Sequence, residues 1–319
     1  MAFRSFYIRC LTTTFVLVAS WVAFTIYIDE FGLFRDVSKR ELRIYTSERL
    51  AKYLFSLHYI PSKFKGVLLG PSLSDIIDTR GITAAPIYNL SITGGNVTEL
   101  RRLFENVVNK NRDLKALILC VDPFITRKTG MEEYEMDSRL LWSSLGSTST
   151  FSFYKKKLRT LHGKVSPDMS INTEWGRYHL IIPRPVAARE VIKTYAGSIS
   201  NTSSEPYHID PIAFEDLKVL VDLARHKNIS ILAYYHPYPD QVYSVLHKKF
   251  DRYKNQVSEI FGPENPVWDF NDSRYLEFRK DDSNYIDQVH LSDKGAAYIS
   301  TEINRLLAKR LSGDRTSSK

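Results

Sequence analysis

The sequence predicts an α/β fold, in which a parallel sheet is covered by helices on both faces, together with one apolar helix at the N-terminus. Short apolar segments alternate with amphipathic helical segments from about residue 65 onward, which is the pattern of a parallel sheet. Residues 116–121 are continuously apolar, as expected for a strand buried on both faces. Residues 10–28 form an uncharged run that approaches the ~20 residues needed to cross a bilayer.

Composition limits the class of protein. A chain of 319 residues that is 43% hydrophobic and 25% charged has the make-up of a globular protein, with room for one large α/β domain. Its formal net charge of +8 predicts attraction to anionic partners such as phospholipid headgroups or acidic cell-envelope polymers. Nucleic acid is not expected, because apart from residues 155–157 the sequence has no basic run interleaved with aromatic residues.

The two cysteines, Cys10 and Cys120, lie in the apolar N-terminal run and in a predicted core strand, so we expect them not to pair. The sequence contains no CxxC motif and no Cys/His cluster. It therefore predicts neither a disulfide framework nor a metal site, and no cofactor.

The charges on either side of the apolar run predict its orientation. Arg4 and Arg9 precede the run, and Asp29 and Glu30 follow it. By the positive-inside rule the arginines stay in the cytoplasm and the rest of the chain is exported. We therefore predict a single-pass protein of the cytoplasmic (inner) membrane, with residues 1–30 as cytoplasmic N-terminus and anchor and the globular domain in the periplasm.

Two other interpretations of this run are open. Residues 18–20, Val-Ala-Ser, fit the cleavage site of a signal peptide, but the apolar run continues beyond them through Trp21 and Phe24. A soluble protein with a buried N-terminal helix is disfavoured, because the run has no polar face.

Residues 31–62 are expected to form a juxtamembrane connector followed by an amphipathic helix. The aromatic residues of this region also fit an interfacial belt. Apolar residues recur here at helical spacing, at Leu42, Tyr45, Leu50, Tyr53 and Leu54.

Residues 63–311 are predicted to form the α/β domain, interrupted by an insertion at about 125–210. This polar, aromatic, Gly/Ser-containing stretch is too long for one bare loop, so we expect short helices and irregular segments lying over the site. Residues 312–319 are expected to be disordered. The regular elements are predicted as strands at 65–69, 87–90, 116–121, 229–234 and 267–270, and as helices at 97–111, 211–227, 240–261 and 292–311.

Residues 65–77 run from an apolar strand through a Gly-Pro turn into the start of a helix, and they place Ser72 at the turn. Open α/β sheets bind ligands at the carboxyl ends of their strands. The first turn of a helix also favours an oxyanion, through its free N–H groups and the helix dipole. Ser72 is therefore a candidate nucleophile, although Ser72-x-x-Asp75 also fits a capping box that only starts the helix.

A second stretch, residues 287–295, carries Asp287 and His290 with Asp-x-x-His spacing. A serine hydroxyl without a base is a poor nucleophile at neutral pH. In a loop, this spacing allows the Asp287 carboxylate to hold the imidazole N–H opposite the nucleophile, which fixes the tautomer and the orientation of the ring. Alternatively, His290 only precedes Ser292, the cap of the last helix.

Together, Gly70-x-Ser72 and Asp287-x-x-His290 resemble the first and last blocks of the SGNH/GDSL hydrolase superfamily. The resemblance implies a flavodoxin-like three-layer α/β/α fold. It also implies a catalytic triad in which Ser72 attacks an ester or acyl donor, His290 is the general base and Asp287 orients the imidazole.

In that superfamily the oxyanion hole combines the N–H of the nucleophile, a glycine N–H and an asparagine side chain. Gly94 or Gly95 fits the glycine role, and each also fits a plain turn glycine. The third predicted strand ends in Cys-Val-Asp-Pro, with Asp122 and no asparagine. Because an ionised Asp122 would repel an oxyanion, we expect it to be protonated, to point away, or to belong to a site with other donors.

The apolar N-terminal run, the helix after it and the altered third block resemble the membrane-attached bacterial branch of the superfamily. That branch includes alginate O-acetylation proteins and D-alanyl transfer proteins of teichoic acid modification. The resemblance implies an envelope enzyme that moves an acyl group onto a glycan hydroxyl, with a membrane-bound O-acyltransferase as partner. The alternative is a catalytically inactive glycan-binding or scaffold subunit of a polysaccharide modification or export complex.

Further residues are candidates for binding substrate. Asp122 and His236 follow the third and fourth strands, so both should reach the same rim of the sheet as Ser72. In the insertion, Trp175 and Arg177, with Tyr178, could stack on and hydrogen-bond a sugar. Structural roles are the alternatives: a surface loop for His236, and the packing of a lid for the insertion residues.

Overall fold

The computed structural model describes residues 2–35, 47–128, 136, 138–164, 174–178, 188–199 and 207–313. Within them, five parallel strands form one sheet in the order β2-β1-β3-β4-β5, which confirms the predicted fold class. The strands are β1 (Gly66–Leu69), β2 (Ile87–Asn89), β3 (Ala116–Cys120), β4 (Ser230–Tyr235) and β5 (Trp268–Asp269). The helices are α1 (Ala2–Ile28), α2 (Glu48–Leu57), α3 (Tyr59–Lys63), α4 (Ser72–Asp75), α5 (Val97–Lys110), α6 (Ser138–Ser143), α7 (Thr148–Leu161), α8 (Ala188–Ile199), α9 (Pro211–His226), α10 (Asp240–Phe261), α11 (Leu276–Lys280) and α12 (Asp293–Gly313).

The central strands are buried on both faces, which explains why their sequences are continuously apolar. Every residue of β1 and β3 is buried. The two strands pair in parallel with Val67 opposite Leu117, and β3 pairs with β4 with Leu117 opposite Ile231. Because parallel neighbours require a crossover between them, helices cover the sheet.

The helices form two layers around the sheet. On one face α5 packs against α2 and α9, and α9 packs against α10. On the other face α12 contacts β4 and the short 3₁₀ turn at Thr79–Gly81. The chain leaves β1 toward β2 and then returns to the other side of β1 for β3. This reversal opens a crevice at the carboxyl ends of β1 and β3, where ligands bind in folds of this type.

The first helix stands apart from the domain for most of its length. An 18-residue window of its stretch Phe3–Ile28 has a mean hydropathy of 1.8 and only 6% of that window is buried, so the helix is long and apolar enough to cross a membrane. The alternative of an N-terminal helix buried in the domain is therefore wrong. At its end, Asp29 adopts φ 49° and its carboxylate accepts the N–H groups of Leu33 and Arg35 at 2.7 and 2.8 Å.

Element boundaries depart from the predicted ones mainly at strand and helix ends. The bounds of α10 agree with the prediction, whereas β5 is two residues shorter than the predicted strand. The last helix α12 continues to Gly313, so the predicted start of a disordered tail at residue 312 is wrong; residues 314–319 lie outside the described part. The insertion contains the three helices α6, α7 and α8. The helix α2 begins at Glu48, and Leu42 and Tyr45, which were predicted to belong to it, lie outside the described residues.

We predict that Gly70→Ala lowers the free energy of unfolding by about 1–3 kcal/mol, the usual cost of forcing an extra carbon into a packed interior. A Cβ at Gly70 would lie 2.6 Å from the Cβ of Cys120 and would overlap the Ser74 hydroxyl. The matched control is Gly197→Ala in α8, where a Cβ meets nothing within 4 Å. Alanine there should raise helix stability by up to about 1 kcal/mol. Equal effects of both changes in chemical denaturation would contradict the prediction.

Candidate functional site

Ser72 lies where β1 turns sharply into α4. The strand ends at Leu69, and Gly70 allows close packing of the turn against Cys120 of β3. Pro71 has extended backbone angles and stands before the helix, so that Ser72 is the first helical residue. The Ser72 N–H has no hydrogen-bond partner in the described part of the chain, as expected for the first turn of a helix.

His290 and Asp287 lie beside this serine. The distance from His290 Nε2 to Ser72 Oγ is 3.0 Å, and the distance from His290 Nδ1 to Asp287 Oδ2 is 2.8 Å. The other carboxylate oxygen of Asp287 accepts the backbone N–H groups of Val289 and His290, at 2.9 and 2.7 Å. The fold therefore brings together three residues that are up to 218 positions apart in the sequence.

The hydrogen bonds to Asp287 stabilise its charged form. Burial acts to raise the pKa of this carboxyl, but the bonds from the His290 ring and from two backbone N–H groups outweigh burial and lower the pKa. Asp287 is thus an anion that accepts a proton-bearing Nδ1, which leaves the lone pair of Nε2 directed to the Ser72 hydroxyl.

The two glycines considered for an oxyanion hole differ in their N–H groups. The Gly95 N–H donates to the Ile92 carbonyl at 2.9 Å in a tight turn, which excludes Gly95 as a donor to a ligand. Gly94 adopts φ 66° and its N–H has no partner within the described residues. The Gly94 carbonyl accepts a hydrogen bond from Arg127 Nη2 at 3.2 Å, which holds the loop.

Asp122, at the end of β3, uses both oxygens as acceptors within the protein. Oδ1 accepts the Phe124 N–H at 3.0 Å and caps the 3₁₀ turn that follows, and Oδ2 accepts the Tyr238 hydroxyl at 2.7 Å. The side chain is completely buried. Desolvation raises the pKa of Asp122 to about 6, against the lowering effect of the two hydrogen bonds. Both oxygens of Asp122 are thus acceptors of hydrogen bonds from Phe124 and Tyr238.

His236 is buried and not, as one interpretation held, a surface loop histidine. Its exposed fraction is 0%, and its Nε2–H donates to the Val289 carbonyl at 2.8 Å. Burial lowers the pKa of His236 to about 3, so the ring is neutral. The surface interpretation failed because β4 continues into an inward-facing loop. His236 supports the backbone of the residue that precedes His290.

Trp175 and Arg177 pack against the domain and are not displayed for a ligand. Arg177 is 9% exposed, donates from Nε to the Ile76 carbonyl at 2.9 Å, and pairs with Asp293 at the start of α12. The Trp175 carbonyl accepts the Asn89 N–H at 2.9 Å, so the segment extends beside the edge strand β2. Arg177 therefore links the end of the Ser72 helix to the helix after His290, which its sequence context did not indicate.

A buried charge cluster, which sequence reasoning missed, lies directly beneath α4. Lys52 of α2 has 0% exposure, and its Nζ contacts Asp75 Oδ1 and Glu48 Oε1, each at 2.8 Å, and the Ser91 carbonyl. Thr93 closes the cluster, donating its N–H to Glu48 at 3.2 Å and its hydroxyl to Asp75 at 2.9 Å. The one signal in the sequence is that residues 51 and 53–55, around the lysine, are all apolar.

The neighbouring carboxyl groups favour the charged form of Lys52, whereas burial disfavours the charged form of Asp75. Desolvation alone would lower the pKa of Lys52, but the neighbouring Asp75 and Glu48 carboxylates outweigh it and raise the pKa. Burial and the Glu48 charge raise the pKa of Asp75 well above its usual value, in spite of Lys52. The ammonium is therefore the fixed positive charge around which α2, α4 and the loop at residues 91–95 are arranged.

Comparisons with known proteins give a likeness in structure alone. No family model matches the chain, and no curated protein matches it. A solved structure from Streptococcus pneumonia, provisionally described as a platelet activating factor, is similar with a TM-score of 0.42 and 12% identity. The match covers 82% of this chain and 91% of that chain.

We predict that Lys52→Met lowers the free energy of unfolding by about 3–5 kcal/mol, because it leaves buried carboxylates without their counter-charge. Adding Asp75→Asn should recover about 0.5–3 kcal/mol of that loss, since the two side chains are in contact. Lys65→Met is the control, because its pair with Asp113 is 42% and 76% exposed and should be worth less than about 1 kcal/mol. Strictly additive changes in urea denaturation would contradict the coupling.

We predict that Asp122 makes the protein less stable as pH rises between about 4 and about 6. Its folded pKa of about 6 lies above the unfolded value of about 3.9, so the folded state holds this proton more tightly. The stabilisation is full below about pH 4 and lost above about pH 6, a change of about 3 kcal/mol. Asp122→Asn should remove this step. Unfolding free energies of both proteins at intervals from pH 4 to 8 test it, and a pH-independent difference would refute it.

Proposed function

We propose that the chain is a membrane-attached esterase or acyltransferase of the SGNH type, which acts on an envelope glycan through a Ser72 acyl-enzyme. The observation that carries the proposal is the continuous hydrogen-bonded chain from Ser72 Oγ through His290 to Asp287. These are the nucleophile, base and orienting acid of serine hydrolases, recognised by geometry and not by position in the sequence.

Acylation follows from this geometry. As the Ser72 Oγ attacks the carbonyl carbon of an acyl donor, its proton passes to His290 Nε2, and the imidazolium is stabilised by the ionised Asp287. The tetrahedral intermediate collapses, the bond to the leaving oxygen breaks, and the histidine returns the proton to the leaving group. A water molecule or a glycan hydroxyl then attacks the acyl-enzyme by the same steps, which gives hydrolysis or transfer.

The oxyanion hole is expected to contain two backbone donors, the N–H groups of Ser72 and Gly94. Both are without a partner within the described residues, and the first also benefits from the helix N-terminus. The asparagine of the superfamily is replaced by Asp122, an acceptor of two hydrogen bonds. Loss of one such donor typically costs about 2.7–4 kcal/mol of transition-state stabilisation. We therefore infer a slow or specialised enzyme.

The membrane assignment rests on α1, which is apolar enough to span a bilayer, and on Arg4 and Arg9 before its apolar core. We propose an inner-membrane anchor with the domain in the periplasm, acting on an envelope glycan and receiving its acyl group from a membrane-bound O-acyltransferase. A catalytically inactive glycan-binding or scaffold subunit is the second candidate, and Asp122 is the observation that favours it.

We predict that Ser72→Ala lowers kcat/KM of the full-length protein toward a small activated acetyl ester at least about 10³-fold, with Asp287→Asn and His290→Ala similar. The melting temperature of Ser72→Ala should change little, because His290 is the hydrogen-bond partner of the Ser72 hydroxyl in the described part of the chain. His290→Ala and Asp287→Asn also alter the bond between those two side chains, so their rates are compared per folded molecule. Ser258→Ala and His247→Ala on α10 are the matched controls.

The same protein preparations distinguish an active enzyme from an inactive scaffold subunit. Mass spectrometry of wild type after incubation with the ester should locate an acetyl group on Ser72. If another residue of Ser72→Ala is acetylated at the wild-type rate, Ser72 is not the nucleophile. Complete absence of turnover and of acylation in wild type would favour the scaffold. Lowered melting temperatures with unchanged rates would mean that Asp287 and His290 only shape the start of α12.

We predict that a phosphatase fused after Lys319 is active and a cytoplasm-only fluorescent reporter at the same place is dark, because Arg4 and Arg9 hold the N-terminus in the cytoplasm. Arg4→Glu/Arg9→Glu should lower the phosphatase signal. The opposite pattern of the two reporters would reverse the proposed topology without affecting the catalytic assignment.

A further inference from the structure

The helix α7 of the insertion is fixed to the domain-side end of α1. The Trp21 ring lies 5.8 Å from Phe151 and 5.7 Å from Tyr154, and Phe24 lies 5.3 Å from Tyr154. Lys157 Nζ pairs with Glu30 Oε2 at 2.5 Å. These contacts hold α7 beside the last two turns of α1.

The length of α1 places those turns at a membrane surface, provided that α1 spans the bilayer. The uncharged residues 10–28 of α1 rise about 28 Å, close to a hydrocarbon core of ~30 Å, and Arg4 and Arg9 precede them. The last turns of α1 therefore reach the membrane surface on the side of the domain, and they carry Trp21 and Tyr27, residue types that are enriched at membrane–water boundaries. Because α7 packs on these turns, it lies at the outer boundary of the bilayer, between the acyl chains and the headgroups.

The outer surface of α7 has the chemistry of an interfacial helix. Phe151, Leu158 and Leu161 are 60%, 56% and 65% exposed, although each is large and apolar. Residues 151, 155 and 158 fall on one face of the helix, so the exposed Lys155 lies between two apolar side chains. Residues 147–164 contain no acidic residue and carry the basic residues Lys155, Lys156, Lys157, Arg159 and Lys164.

A groove between α7 and α1 adds room for an apolar chain. Its volume is ≈ 510 Å³, and its walls include Trp21, Phe24 and Leu158. Arg159 and Lys164 lie at the same groove. Apolar walls with a basic rim complement a molecule that has an acyl chain and an anionic head.

We propose that α7 and the end of α1 form a binding surface for anionic phospholipids of the bilayer that holds α1. An acyl chain occupies the groove beside Leu158, and Lys155, Arg159 and Lys164 bind the headgroup phosphates. The proposal does not depend on the catalytic assignment. Two contacts with the membrane, α1 and α7, then fix the orientation of the domain. With α1 alone, the domain would be free to rotate relative to the membrane.

The test uses the full-length protein in nanodiscs of mixed phosphatidylcholine and phosphatidylglycerol. A bimane fluorophore is attached to Leu158→Cys in a Cys10→Ser background, since Cys120 is buried. Quenching by lipids with brominated acyl chains reports contact with the bilayer interior. Leu17→Cys on α1 is the positive control and Ile212→Cys on α9, 70% exposed, is the negative control.

Four results are expected. Leu158→Cys is quenched like Leu17→Cys and Ile212→Cys is not, and brominated phosphatidylglycerol quenches Leu158→Cys more than brominated phosphatidylcholine at equal mole fraction. Lys155→Gln/Arg159→Gln/Lys164→Gln abolishes this preference, which should be up to about fivefold for each basic residue. Lys110→Gln/Lys227→Gln/Lys248→Gln, with the same change in charge on other helices, leaves it unchanged.

Other outcomes overturn the proposal. If Leu17→Cys is quenched and Leu158→Cys is not, α1 spans the bilayer but α7 binds something other than lipid, such as a protein partner. If both lipids quench Leu158→Cys equally, the surface does not select anionic headgroups. If Leu17→Cys is not quenched, α1 does not span the bilayer, and the premise fails together with the proposed topology.

Discussion

The arrangement of the site depends on a single ammonium group that has no access to water. Lys52 has three N–H donors, and it meets three acceptors, on Asp75, Glu48 and the Ser91 carbonyl. Removing Lys52 would leave the buried Asp75 and Glu48 carboxyl groups without a counter-charge, which is far more costly than a lost surface ion pair. The helix α2, the Ser72 helix and the loop at residues 91–95 are therefore held in one relative position.

The histidine loop is held with similar redundancy from the other side. Asp287 binds the imidazole with one oxygen and two backbone N–H groups with the other, and the neutral His236 donates to the carbonyl of Val289. Arg177 adds a link from Ile76 to the start of α12. A site that is built in advance does not have to be ordered when substrate binds, which is what electrostatic stabilisation of a transition state requires.

The C-terminal end of α1 and the site are linked by continuous packing. Phe31, just after α1, packs against Phe55 of α2 at 6.1 Å and against Phe153 of α7 at 5.5 Å. Phe55 lies one turn from Lys52 on α2. This connection fixes the carboxyl edge of the sheet relative to the end of α1.

The sequence by itself determined the fold class and the three residues with candidate catalytic chemistry. Continuous apolar strands and amphipathic helices are local patterns, and α10 was predicted with its observed bounds because caps and periodicity are also local. Ser72 and Asp287-x-x-His290 were recognisable from their spacing. Only the tertiary structure decided that they meet, that Lys52 and His236 are buried, and that Arg177 is a link between helices. These facts depend on pairs separated by 23, 53 and 116 positions, whose contacts no local pattern specifies.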